Sequence, residues 1–79
     1  MDRGEVVRAV LDALRAAGEP MPTQAVAAAV MAAWGVAPDG PNAVRVADSV
    51  GAALRRQERA GTVKGTRGPG GLVAWEIVR

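Results

Sequence analysis

Residues 43–78 read AVRVADSVGAALRRQERAGTVKGTRGPGGLVAWEIV, one long amphipathic run followed by two short apolar ones. The long run is helical by its period. At about 100° per residue, Ala43, Ala47, Val50, Leu54 and Gly61 fall on one stripe, and Arg45, Ser49, Ala52, Arg56 and Arg59 fall on the opposite one. The helix is predicted to begin near Pro41 to Ala43 and to run to about Ala60, where Gly61 offers the left-handed conformation of a helix stop. Beyond it, Thr62 to Arg67 and Leu72 to Val78 are strand-like, joined by Gly68-Pro69-Gly70-Gly71. Proline presets φ at the second position of a turn and glycine accepts a positive φ at the third, so a type II turn and a β-hairpin are predicted. Val73, Trp75 and Ile77 alternate onto one face and Ala74 and Glu76 onto the other, as in a sheet covered on one side by helices.

The N-terminal half supplies those helices. Asp2 is placed to cap a first helix, with Glu5 three residues on to complete a reciprocal capping box. Val6, Val7, Val10, Leu11 and Leu14 recur at helical spacing, while Arg8, Asp12 and Arg15 lie on the solvated side within ion-pairing reach. Gly18 is a left-handed stop, and Glu19-Pro20-Met21-Pro22 cannot extend the helix because its prolines lack amide donors. Met21 has room to pair briefly as a strand. Thr23 is the expected N-cap of a second helix, Gln24 to about Ala33, with Val26, Val30 and Met31 inward and many alanines to admit a close neighbour. Trp34 is expected to close that helix as a packing anchor, since no other aromatic is near enough in sequence to build a stacking platform. Gly35 to Asn42 holds two Pro and two Gly and reads as a loop.

Composition narrows the chemistry. A chain of 79 residues forms one domain, 1–79, and must commit most of its apolar residues to packing. It holds no Cys and no His, which removes disulfides, thiolate metal sites, the commonest metal ligand and the usual general base. No pair of the remaining Asp, Glu, Ser and Lys residues is spaced to argue for catalysis, so neither an enzyme nor a cofactor site is expected. No apolar run approaches a signal sequence or membrane span, so a soluble cytosolic protein is expected. Alanine, valine, glycine and arginine dominate with a single lysine, a bias that fits a GC-rich bacterial or phage genome. Residues 1–44 carry three arginines against five acids, a net of −2, whereas residues 45–79 carry seven basic residues against three acids, a net of +4. The positive charge gathers where the long helix and hairpin lie.

Val50, Leu54, Glu58, Gly61 and Val63 stand in the pattern V-x-x-x-L-x-x-x-E-x-x-G-x-V, followed at once by the hairpin. In this stretch, and in its order of elements throughout, the chain resembles the winged helix-turn-helix family, small bacterial or phage type. The resemblance implies an α+β fold of three helices with a C-terminal β-hairpin wing. It also implies a third helix in the major groove of DNA and a wing against the backbone or minor groove. On that basis Arg45, Ser49, Ala52, Arg56 and Arg59 face the groove, and Lys64 and Arg67 belong to the wing.

Direct chemistry reaches the same surface. Arginine can bridge guanine O6 and N7 with two hydrogen bonds, and Ser49 and Ala52 are small enough for close approach. Arg55 is a further candidate contact, and Thr23 and Gln24 stand where free helix amides could hold a phosphate. Asp48 and Glu58 could instead pair with neighbouring arginines and blunt the field. The glycines of Gly65 to Gly71 lack the Gly-Lys-Ser/Thr ending of a phosphate-binding loop and lead into no helix. One departure from the family is the Gly35 to Asn42 connection, longer than the three-to-four-residue turn of a simple helix-turn-helix, which alters the docking angle. The expected partner is double-stranded DNA, read specifically or in general, for a small transcriptional regulator or a phage or mobile-element accessory protein. The alternative is a winged-helix adaptor that binds protein, either another chain or a second copy of itself.

Overall fold

The computed structural model describes residues 2–79. The first helix, α1 (Arg3–Ala17), opens on Asp2, whose Oδ1 accepts the Gly4 amide at 2.9 Å. The cap is therefore one-sided, made to Gly4 and not through the reciprocal box expected with Glu5. Gly18 ends the helix at φ 68°, and Arg15 pairs with Asp12 at 3.3 Å on the outer face. Met21–Pro22 form a two-residue strand, β1, as the brief apolar interval between prolines suggests.

The second helix, α2 (Thr23–Trp34), corrects the expected cap. Pro22 occupies the N-cap position and no side chain caps the helix; Thr23 is its first residue. The Thr23 hydroxyl accepts a hydrogen bond from Trp75 Nε1 at 2.8 Å. The chain enters α2 straight out of a strand, and that entry turns Thr23 toward the sheet, where a tertiary donor takes its oxygen. Trp34 is the last residue of the helix, half-buried against the core as an anchor, and Gly35 follows at φ 68°.

The third helix, α3 (Ala43–Ala60), stops at Gly61, φ 83°. The Thr62 amide donates to the Gln57 carbonyl and the Gly61 amide to that of Glu58, so the last carbonyls are satisfied by the turn itself. Strands β2 (Val63–Arg67) and β3 (Val73–Ile77) form the hairpin, with Gly65 opposite Trp75 and Lys64 opposite Glu76. Between them the Gly71 amide donates to Gly68 and Gly70 sits at φ 76°, ψ 7°, the values of the third residue in a type II turn. The sheet is antiparallel in the order β1-β3-β2, with Met21 opposite Trp75. This is the three-helix α+β layout, with its hairpin wing, expected from the sequence.

The core is built almost wholly from short side chains. Val6, Val10 and Leu14 of α1 meet Val26, Val30 and Met31 of α2 and Val46, Val50 and Leu54 of α3, with Val63 and Trp75 closing the sheet side. Leu54 is 0% exposed. The inward face of α3 differs from the expected stripe, because Val46, Gly51 and Ala53 are buried while Ala47 is only half-buried. Both α1 and α2 pack against α3, so its covered band is wider than one stripe and is turned toward the side of Val46 and Ala53. No helix among the described residues is long and apolar enough to cross a membrane.

Candidate nucleic-acid interface

The rotation of α3 redistributes the residues expected to face a groove. Arg45 and Arg59 are exposed, and so is Arg55, which stands nearer the middle of the outer face. Ser49, Ala52 and Arg56 are half-buried and line a narrow cleft with Arg3 and Val6 of α1. These three belong to the α1 flank of the helix, not to its crest. Val44, one residue into α3, is 70% exposed. It lies on the opposite flank, a position that the expected register had not singled out.

On the hairpin, Lys64 and Arg67 part company. Three residues apart in a strand, they point to opposite faces of the sheet. Lys64 pairs with Glu76 across the strands at 3.3 Å and lines a hollow with Leu14, Gly18 and Val78, near the end of α1. Arg67 joins Thr23, Arg55, Glu58, Gly65, Val73 and Trp75 in a cleft between the start of α2, the second half of α3 and the hairpin. The structure thus brings together Thr23, Arg55 and Arg67 and sets Lys64 apart from them. Gln24 lies in an adjoining hollow with Ala27, Met31, Pro38 and Ala47, between α2 and α3.

The floor of the Arg55–Arg67 cleft explains its shape. Gly65 faces Trp75, and a Cβ at Gly65 would fall 2.9 Å from Val73 Cγ1 and 3.0 Å from the indole Cζ3. The ring occupies the space where a side chain would be. Its Nε1 bond to Thr23 then ties β3 to the start of α2. Gly51, on α3, lies beneath the Arg55 guanidinium, with Nη1 3.5 Å from where its Cβ would be. The Gly65 contact is not legible from periodicity, because it depends on which strands pair and in what register, whereas the Gly51–Arg55 contact follows from the four-residue spacing within α3.

Among the described residues the ion pairs are Arg15–Asp12 and Lys64–Glu76. Arg45, Arg55, Arg56, Arg59 and Arg67 enter none, and Asp48 and Glu58 make none of the pairings with neighbouring arginines that their spacing suggested. Glu58 lines the same cleft as Arg55 and Arg67 and is the carboxylate that an incoming anion would have to tolerate. Leu72, beside the hairpin turn, is 65% exposed. Comparison with protein-family models, curated proteins and solved structures finds no match for this chain.

Proposed function

We propose that this protein binds double-stranded DNA through the outer face of α3 and the adjoining face of the hairpin. The observation that carries the reading is a set of five arginines, Arg45, Arg55, Arg56, Arg59 and Arg67, on α3 and the hairpin with no carboxylate partner. An unpaired guanidinium is ready to replace phosphate counterions or to fork onto a guanine edge without first breaking an ion pair. The 18 residues of α3 span about 27 Å, long enough to follow a major groove through its width. Arg45, Arg55 and Arg59 are the groove residues on this reading, with Arg67 on the backbone and Arg56 at the rim. Thr23 and Gln24 adjoin the same surface at the start of α2, and Lys64 plays a lesser part. The winged helix-turn-helix resemblance supports the assignment, and the work would be that of a small cytoplasmic transcriptional regulator or a phage or mobile-element accessory protein, without catalysis or cofactor.

A protein-binding adaptor is the second reading. It is favoured by the exposed Val44 and Leu72 and by Asp48 and Glu58 on or beside the same face. Fluorescence anisotropy with labelled duplexes over a range of salt concentrations separates the two. DNA binding through arginine–phosphate contacts predicts a log–log salt slope that falls in magnitude by about one for each phosphate contact removed. Arg55→Ala and Arg67→Ala should each weaken binding, and the double variant should lose most of it while keeping its fold. Absence of salt-sensitive binding to any duplex at micromolar protein, or full binding by both variants, would transfer the surface to the adaptor reading.

A further inference from the structure

A second surface lies on the other flank of α2. Ala9 and Ala13 of α1 and Ala29 and Ala33 of α2 line a groove of about 830 Å³ that ends at Met21 and Trp34. It shares no lining residue with the cleft of Arg55 and Arg67. Methyl side chains on both walls leave room for another helix to approach closely.

The rim of this groove states what that helix must carry. Glu5, Arg8 and Asp12 line the groove's edge, and with Arg15, which continues the same stripe of α1 at spacings of three, four and three residues, all are exposed. The signs run minus, plus, minus, plus, and the four positions are symmetric about Val10. A second α1 laid antiparallel across a two-fold axis at the level of Val10 therefore sets Glu5 against Arg15 of the second copy and Arg8 against its Asp12. Each pairing occurs twice. A parallel arrangement would set like charges together.

We infer that α1 and α2 form a self-docking face, through which two copies of this chain associate about a two-fold axis as an antiparallel α1 pair. The interface is isologous, so one patch supplies both sides. The Arg15–Asp12 pair at 3.3 Å within each copy becomes part of a ladder of four charges per strand of contact. The docked face leaves the arginine surface of α3 uncovered, so the association stands or falls separately from DNA binding.

The test is a charge swap read by sedimentation velocity over a wide range of protein concentration. The wild type should shift from monomer to dimer as concentration rises. Arg8→Asp alone converts two attractive pairs into two repulsive ones and should weaken association about tenfold. Adding Asp12→Arg restores opposite charges at both pairs and should recover the wild-type association. Circular dichroism establishes that the variants remain folded, which their exposed positions favour. A wild type that stays monomeric to millimolar concentration overturns the proposal. So does a dimer indifferent to Arg8→Asp, or one that the double swap fails to restore.

Discussion

Gly65 and Trp75 are the pair on which the hairpin's shape rests. A methyl group at position 65 would stand 2.9 Å from Val73 and 3.0 Å from a ring that is itself buried and hydrogen-bonded, so neither neighbour yields freely. Gly65→Ala should cost about 1–3 kcal/mol, the usual penalty for overpacking. Urea unfolding measures this, and Trp75 emission in a Trp34→Phe background should change as the ring is displaced; an unaltered midpoint and spectrum would contradict the packing. Thr23→Val keeps the shape of Thr23 and removes the acceptor of the Trp75 Nε1 bond. A part-buried donor left without its partner should lower stability by about 1–2 kcal/mol, and Thr23→Ser should retain most of what is lost. A valine variant as stable as the wild type, with the loss confined to serine, would show that the methyl group, not the hydroxyl, is what matters.

At the scale of the element, α3 holds two opposite expectations on adjoining faces. Leu54 is wholly buried among the helices, and Leu54→Ala should remove about 2–5 kcal/mol, much of a small domain's stability. Gly51, by contrast, lies inside the helix with ordinary van der Waals room for a methyl beneath Arg55. Gly51→Ala should therefore stabilise the domain by about 0.5–1 kcal/mol, since alanine loses less backbone freedom in a helix. Thermal melts of both variants check the register of α3, and a destabilised Gly51→Ala would contradict the room found for a methyl beneath Arg55. The existence of this helix, its Gly61 stop and the turn at Gly70 were legible because each follows from local backbone chemistry. Its rotation was not, because Val46 and Ala53 are buried by α1 and α2 packing from two sides, which no single-stripe reading registers. The same limit explains Thr23. Its type suits an N-cap, but the pairing of Met21 with Trp75 brings a distant indole within 2.8 Å of its hydroxyl.

Across the whole molecule, β3 is the strand that both others need. β1 and β2 each pair with β3 and not with one another, and Trp75 carries the link to α2. A chain stopped after Leu72 should consequently lose the sheet altogether and, with the core open beneath Trp75, most of its helix as well. Circular dichroism would show it, and a cooperative melt in that truncated chain would refute the central role of β3. The concentration of basic residues after position 44 was plain in the sequence, whereas the division of that charge between the Arg55–Arg67 cleft and the isolated Lys64–Glu76 pair emerged only with the strand faces. The position of β3 also bears on how the protein comes to exist on a ribosome. Thr23 and Trp75 are 52 residues apart, so α1, β1 and α2 leave the exit tunnel well before the strand that fastens them. Contacts this distant close late and slow the search for the native state. During that interval the apolar sides of α1 and α2 have only one another for cover, making the nascent chain a client for any factor that shields hydrophobic surface until β3 emerges.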